Sequence, residues 1–205
     1  MLRAQVMSGE GMSMRKLVYY VASTLDGYIA GPDGGDPSAE PYFPVAPGDI
    51  DFIVGQYPET LPAPARQALG VTGPGQVFDT VLEGRASYEV GLAAGLTNAY
   101  PHLRHIVFST TLRAEDPSIE VVRGQALERV RELKSEQGKD LWLVGGGTLA
   151  HSLLPEIDRL VLKQHTSIIG SGIPLFNGPF QIQSFRLSGE TALDSGVRVL
   201  TYDRV

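Results

Sequence analysis

The feature that most constrains this fold is an alternation of short β-rich apolar runs with helical segments. Four such runs, each ended by polar residues or glycine, lie at residues 77–82, 105–108, 141–144 and 160–162. Helices are predicted between them, one beginning near Ser87, one over residues 125–137 and one from after Gly147 to residue 154. This alternation predicts an α/β protein whose mainly parallel sheet is flanked by helices.

The two ends of the chain also carry β-rich segments. Residues 15–22 form an apolar run followed by a polar turn, which predicts a first strand. Residues 181–187 and 197–202 alternate around Ser195 and Gly196, which predicts a closing antiparallel hairpin.

One helix is predicted between the first strand and the next apolar run. Residues 31–48 are rich in glycine, proline and aspartate and predict a loop. Asp49 is placed to cap a helix whose apolar residues follow helical spacing, namely Ile50, Ile53, Val54 and Tyr57. Prolines punctuate residues 58–75, which we interpret as a partly helical insertion.

Composition excludes several classes of protein. The chain of 205 residues has a formal net charge of −6, which argues against nucleic acid as a partner because a basic surface is missing. Apolar stretches fall short of the roughly 18–20 residues that cross a bilayer, so no membrane partner is predicted. The absence of cysteine excludes disulfides, thiolate metal sites and a cysteine nucleophile, and it favours a cytoplasmic location.

The length predicts one domain over residues 14–205. Residues 1–13 lack an apolar core of signal-peptide length, and a second methionine, Met14, directly precedes the first strand. We therefore expect residues 1–13 to be a poorly ordered leader.

The strongest local motif joins a buried strand to three glycines and a helix. Leu143 and Val144 are followed by Gly145, Gly146, Gly147, Thr148 and Leu149. Glycines permit close approach of a ligand, and the N-terminus of the following helix attracts anions. A tight turn without a ligand would have the same sequence, so both interpretations stay open from the motif alone.

Two further strand ends carry residues that suit phosphate. Gly84, Arg85 and Ser87 follow one strand, and the hydroxyl residues Ser109 and Thr110 follow the next. A serine N-cap beside a solvated arginine would explain the first motif equally well, and hydroxyl residues commonly end strands. Because parallel sheets bind ligands outside the carboxyl ends of their strands, the three ends together predict a dinucleotide site.

Other chemistries lack support in the sequence. The four histidines, His102, His105, His151 and His165, show no metal-binding spacing, so no metal is predicted. Neither a G-x-S-x-G motif nor a Walker loop is present. Asp49 and Asp51 are interpreted first as helix-capping residues.

The motifs together resemble the dihydrofolate-reductase-like family. The resemblance covers residues 14–205 and rests on five ordered segments, at residues 23–30, 84–89, 109–111, 144–149 and 170–176. It is strongest toward the branch that includes the reductase domain of bacterial riboflavin biosynthesis. The resemblance implies a mixed sheet of about eight strands, NADPH as the cofactor and a homodimer. No zinc-type deaminase segment precedes the reductase-like part in this sequence, so we do not expect the two-function riboflavin enzyme.

The resemblance also implies roles for individual residues. The backbone of Ala22, Ile29 and Ala30 would hold the nicotinamide amide, and Gly84, Arg85 and Ser87 would contact phosphates. Ser109 and Thr110 would lie beside the adenosine 2′-phosphate. The run from Gly145 to Leu149 would bind the pyrophosphate, with a cis peptide between Gly145 and Gly146.

The substrate side is less defined by the same resemblance. Catalytic residues stay unknown, with Asp51 as the carboxylate on the first helix and Lys163 as the polar strand residue that would face the substrate. A solvated lysine is an equal alternative for Lys163. The expected function is NADPH-dependent hydride transfer to a C=N or C=O group of a small molecule such as a ribosylaminopyrimidine or a pterin. A non-catalytic NADPH-binding module and a structural protein without nucleotide are the alternatives.

Overall fold

The computed structural model describes residues 14–37 and 41–205, so the predicted leader of residues 1–13 lies outside the described residues. The strands are β1 (Leu17–Ser23), β2 (Tyr28–Ala30), β3 (Phe78–Gly84), β4 (Arg104–Phe108), β5 (Ile119–Val122), β6 (Asp140–Gly145), β7 (Ile157–Gln164), β8 (Ile173–Pro174), β9 (Phe185–Ala192) and β10 (Arg198–Arg204). The α-helices are α1 (Pro47–Gln56), α2 (Ala63–Ala68), α3 (Arg85–Ala93), α4 (Ala126–Ser135) and α5 (Gly147–Ser152).

Eight strands form one sheet in the order β5-β4-β3-β6-β1-β7-β10-β9. All pairings from β5 to β7 are parallel, whereas β10 runs antiparallel to both β7 and β9. Strands β2 and β8 form a separate small antiparallel pair. The predicted mainly parallel sheet with a C-terminal antiparallel hairpin is therefore confirmed.

The sheet buries both faces, which explains why its central strands are almost continuously apolar. One face packs Leu82, Leu143 and Leu160 against residues of α4 and α5, among them Leu133 and Ala150. The other face packs an aromatic group against α1 and the segment after it, and this group comprises Tyr20, Tyr57, Phe78 and Trp142.

The hairpin differs from its prediction in register. Strand β9 spans Phe185–Ala192, not residues 181–187, because β10 continues to Arg204 and pairs that residue with Phe185. The turn covers residues 193–197, where Leu193 and Val197 are joined by a backbone hydrogen bond. Strand β5 was not predicted, since its four residues include a glutamate and present no long apolar run.

The N-terminal ends of α1 and α3 also differ from their predictions. The N-cap of α1 is Ala46, and Asp49 caps the helix from its third position by accepting the Ala46 N–H at 2.8 Å. The N-cap of α3 is Gly84, so Ser87 lies inside the first turn. The insertion at residues 58–75 is partly helical as predicted, with a 3-10 turn at Pro58–Thr60 followed by α2.

In the portion of the chain described here, every helix is too short or too polar to span a bilayer.

Candidate functional site

The three predicted strand ends lie along one edge of the sheet. Strand β3 is the shared neighbour of β4 and β6, and all three run in parallel. Gly84 is in register with Phe108, and Glu83 is in register with Gly145. Arg85, the hydroxyl turn after β4 and the glycine run therefore lie side by side rather than on different faces of the molecule.

A cavity of about 780 Å³ opens at this edge. Most of the residues predicted for the site line it, namely Ala22, Ile29, Ala30, Gly84, Arg85, Ser87, Gly145, Gly146, Gly147, Thr148, Leu149 and Lys163. Ser109, Thr110 and Asp51 are not among the lining residues. A volume of this size is in the range of pockets that hold small molecules and cofactors.

The three glycines of the run are constrained to different degrees by the protein itself. Gly145 has a φ of +150°, which side-chain-bearing residues rarely adopt. A Cβ on Gly147 would collide with the carbonyl oxygen of Pro174. A Cβ on Gly146 would meet only the Ser87 hydroxyl, at 3.8 Å, so packing within the described chain leaves room there. The peptide bond between Gly145 and Gly146 is cis, as the resemblance implies.

Arg85 is held at the mouth of this cavity. It is the first residue of α3, and its guanidinium donates to the Glu89 carboxylate at 2.6 Å and to the Thr111 hydroxyl at 2.8 Å. About half of the side chain is exposed. The alternative interpretation of a serine N-cap is wrong, because α3 is capped by Gly84. The arginine is oriented by two partners and keeps a solvent-accessible face for an anion.

The hydroxyl turn after β4 lies beside Arg85 but outside the cavity wall. The Ser109 hydroxyl accepts the N–H of Leu112 at 3.0 Å and so shapes the turn. Arg123 donates to the carbonyls of Thr110 and Leu112, at 3.0 and 2.8 Å. Arg123 adds a second cation to this region. It was missed from sequence because the strand that delivers it, β5, was not predicted.

The inner end of the cavity contains Lys163, which is in register with Ala22 on the neighbouring strand. Its Nζ lies 4.6 Å from the centre of the Tyr20 ring. Among the described residues, no carboxylate oxygen lies within 4 Å of this ammonium group. Burial lowers the pKa of Lys163 to about 8, and the more distant charge of Asp49 opposes that shift. Lys163 is thus a half-buried lysine that lines the cavity.

His165 lies next to Lys163 on the same wall and was not predicted. Burial, with the nearby Lys163 charge, lowers the pKa of His165 to about 4. Its ring packs against Phe43 with centroids 4.8 Å apart, and within the described chain its buried Nδ1 has no hydrogen-bond partner. A neutral imidazole thus contributes an unused polar atom to the inner end.

Asp51 is exposed on α1 and does not reach this cavity, which corrects the prediction for that residue. The buried carboxylate of α1 belongs to Asp49, two residues earlier. Asp49 accepts hydrogen bonds from the Ser195 hydroxyl at 2.5 Å and from the Ala46 N–H at 2.8 Å. The direction in which each helix residue faces depends on where the helix begins. With a start at Pro47, Asp49 faces the protein interior and Asp51 faces solvent.

In the described ranges, no cluster of three or more histidine, cysteine, aspartate or glutamate side chains is arranged to hold a metal ion. The polar groups of the cavity instead suit an organic ligand with anionic groups at one side.

The sheet order and the glycine edge define a dihydrofolate-reductase-like fold, and solved structures agree. A putative riboflavin biosynthesis protein from Shewanella sp. PV-4 superposes with a TM-score of 0.66 at 20% identity, covering 93% of this chain and 99% of that one. Dihydrofolate reductase from Enterococcus faecalis, complexed with NADP(H) and RAB-propyl, superposes with a TM-score of 0.61 at 16% identity, covering 92% and 96%.

Residues 15–199 match the family model described as RibD C-terminal domain, so the chain belongs to that family. Two similar proteins from Bacillus subtilis (strain 168) are both named as uncharacterized. YyaP is 26% identical over 204 residues, covering 93% of this chain and 96% of its own. YwjB is 26% identical over 190 residues, covering 90% and 96%.

Proposed function

We propose that this protein is an NADPH-dependent reductase that transfers hydride to a C=N or C=O group of a pyrimidine-like or pterin-like small molecule. The observation that carries the proposal is the shared edge at which Arg85, Ser87 and the glycine run line one cavity with Lys163 at its inner end. Groups that suit a phosphate and a half-buried amine thus line a single space.

The described residues fit NADPH. Arg85 keeps an exposed face beside the N-terminus of α3, which suits a phosphate. Gly146 leaves open space beside Ser87, where a pyrophosphate can approach the backbone. Ala22, Ile29 and Ala30 would hold the nicotinamide amide, and Ser109, Thr110 and Arg123 lie on the side where the adenosine 2′-phosphate would extend.

When bound, NADPH supplies the hydride, and the chain supplies position and a dry pocket. Ala22 and Lys163 are register partners on adjacent strands, so the amine lies next to the expected nicotinamide site. A lysine whose pKa lies near 8 holds a proton at neutral pH and releases it readily. Lys163 is thus suited to protonate the nitrogen or oxygen of the reduced bond, and water restores its proton.

The substrate class is supported by the relatives. The Shewanella structure is named a putative riboflavin biosynthesis protein, and the Enterococcus protein is a dihydrofolate reductase. The resemblance to these proteins favours a substrate such as 5-amino-6-(5-phosphoribosylamino)uracil or a pterin. Both chemistries involve flat nitrogen heterocycles, which suit the aromatic inner wall of the cavity.

A titration that follows nicotinamide fluorescence tests cofactor binding. We expect saturable binding of NADPH, and absence of binding at millimolar concentration would refute the proposal. Turnover is tested by following NADPH oxidation with pterins, aminopyrimidines and small carbonyl compounds. Binding without oxidation by any of these would favour the alternative of a non-catalytic nucleotide-binding module.

Replacing Arg85 sharpens the test. In Arg85→Ala we expect NADPH affinity to fall about 10- to 100-fold, the equivalent of a charged hydrogen bond worth roughly 1.5–3 kcal/mol, with a much smaller loss for NADH. Arg113→Ala removes an exposed arginine outside the cavity lining and serves as the control. NADH lacks only the 2′-phosphate, so equal losses for both cofactors would remove a role of Arg85 at the 2′-phosphate.

A further inference from the structure

The cavity continues past the nucleotide edge to a buried carboxylate that the proposed hydride transfer does not use. Glu83, the residue before Gly84, is 3% exposed and still lines the cavity. The lining also includes Tyr100, whose ring lies 5.8 Å from that of His105, the partner of Glu83. Residues with small or no side chains line the cavity as well, namely Gly91, Ala94 and Ala99, and a Cβ on Gly91 would lie 3.7 Å from that of Ala99. We call this part of the cavity the Glu83 end.

One oxygen of Glu83 is bound by a hydrogen-bonded chain behind the wall. Glu83 Oε1 lies 2.6 Å from His105 Nε2, and His105 Nδ1 lies 2.9 Å from Asn98 Oδ1. The Asn98 side chain is oriented, because its Oδ1 accepts the Tyr100 N–H at 2.9 Å and its amide donates to Ser118. An oxygen faces His105 Nδ1, so that nitrogen carries a proton.

The second oxygen of Glu83 is then a hydrogen-bond acceptor in either protonation state of the pair. If His105 is doubly protonated, Glu83 is a carboxylate. If His105 has only its Nδ1 proton, the carboxyl proton lies on Oε1 and Oε2 is a carbonyl oxygen. Within the described chain, His105 is the only hydrogen-bond partner of Glu83, and Oε2 is not among the fully buried atoms. Oε2 is therefore an acceptor that the cavity exposes to a ligand.

Glu83 Oε2 is a hydrogen-bond acceptor, and Lys163 provides a donor at the inner end of the cavity. Strands β7, β1, β6 and β3 are consecutive neighbours, so Lys163 and Glu83 are separated by three strand spacings, about 14 Å between backbones. Lys163 Nζ lies over the Tyr20 ring of β1, the neighbouring strand on the Glu83 side.

An aromatic wall joins the two ends. The Tyr20 and Trp142 rings lie 6.4 Å apart, and Trp142 and Tyr100 lie 5.0 Å apart. All three line the cavity. A flat apolar body can pack along this wall while polar groups at its two ends reach Lys163 and Glu83.

We propose that this cavity selects an elongated, flat substrate that carries an anionic or acceptor group for Lys163 at one end and an amine or hydroxyl donor for Glu83 at the other. This inference rests on the proposed function for its hydride donor, and it adds the substrate's shape and polarity. Glu83 is thereby a specificity-determining residue.

The test uses 4-(aminomethyl)benzoate as probe, measured by calorimetry with the wild-type chain in the presence of NADPH. Two isosteres are matched to it: 4-ethylbenzoate lacks the donor, and 4-isopropylbenzylamine lacks the acceptor. We expect the probe to bind at least tenfold more tightly than either isostere, because each end contributes a charge-assisted hydrogen bond. Absence of probe binding at millimolar concentration, or equal affinity for all three compounds, would overturn the proposal.

Substitutions test separately which residue binds each end of the probe. Glu83→Gln should reduce the preference for the probe over 4-ethylbenzoate at least tenfold, and Lys163→Met should reduce its preference over 4-isopropylbenzylamine. Gly91→Leu fills the Glu83 end without changing charge and should weaken all three compounds, which keeps the test valid if Glu83→Gln does not fold. An unchanged preference in folded Glu83→Gln would also overturn the inference. Failure of the proposed function is a separate result, namely that NADPH itself does not bind.

Discussion

Polar and charged side chains are treated in opposite ways at the two edges of the sheet. Near the amino ends of the strands, Arg15, Glu59, Arg66 and Lys134 are all buried and all have close polar partners. At the carboxyl edge, Lys163 has no carboxylate within 4 Å in the described chain, and one nitrogen of the buried His165 has no partner. Glu83 there is bound through one oxygen only.

The difference shows where the fold holds its structure and where it leaves room for a ligand. Burying a charge or a polar group without a partner is costly, so such groups persist only where something else uses them. The amino edge is built for stability. The carboxyl edge, at which open α/β sheets bind ligands, keeps polar atoms available.

The largest loss of stability is expected when Glu59, at the amino edge, is replaced. Its side chain is fully buried and accepts the backbone N–H groups of Gln76, Val77 and Phe78 at 3.0, 2.6 and 2.6 Å. Glu59→Ala leaves these donors unsatisfied, so we expect the free energy of unfolding to fall by about 3–5 kcal/mol, measured by urea denaturation.

The control for that prediction is Glu132→Ala. The Glu132 side chain is 66% exposed, and among the described residues it pairs only with Arg129. We expect a change of no more than about 0.5 kcal/mol there. Comparable losses in both variants would show that Glu59 is not a special contact.

The next largest effects on stability are expected for replacing Lys134, at the amino edge, and Lys163, at the carboxyl edge. Lys134 donates to Asp158 Oδ1 at 3.0 Å and to the Glu156 carbonyl at 3.2 Å. Lys134→Met leaves Asp158 without its cation, so we expect a loss of about 2–3 kcal/mol in unfolding free energy. A stabilised Lys134→Met variant would contradict the view of the amino edge as structural.

Lys163→Met should change stability in the other direction. Because the Lys163 ammonium is desolvated without a paired carboxylate, we expect a gain of about 1–2 kcal/mol at pH 7, less than the full pKa shift implies since the cavity admits solvent. Arg113→Met, which removes an exposed charge, should leave stability within about 0.5 kcal/mol.

The smallest expected effect is the pH dependence of that gain. The pKa of Lys163 is lowered from 10.5 to about 8, so below pH 8 the folded wild type carries the full penalty of a buried charge. Between pH 8 and 10.5 the folded state loses this proton while the unfolded state keeps it, and the wild type becomes relatively more stable. The advantage of Lys163→Met should therefore shrink over this range. A constant advantage would show that packing, not charge, is its cause.

Much of the fold could be predicted from local sequence. The central strands are apolar on both sides, and the residues that end them, such as Gly84 and Gly145, punctuate the pattern clearly. Chain order then placed Arg85 and the glycine run at one edge, because parallel strands align their carboxyl ends.

The remaining parts depended on contacts that local patterns do not contain. The identity of the buried carboxylate on α1 follows from a start at Pro47, and Asp49 is oriented by Ser195, which is 146 residues away. Glu83 and His105 looked like ordinary strand residues, since their pairing joins two strands across a crossover. The register of β9 was set by how far β10 extends.

The hydrogen bond from Ser195 to Asp49 also bears on the order in which the molecule matures during translation. Strand β10 pairs with the outer edge of β7, and the hairpin turn before it carries Ser195. Both are synthesised after all the parallel strands. A nascent chain that lacks residues 193–205 has its glycine edge complete, while the helix beside Lys163 still awaits its anchor. The last residues of the chain therefore complete the Lys163 side of the cavity and not the glycine edge.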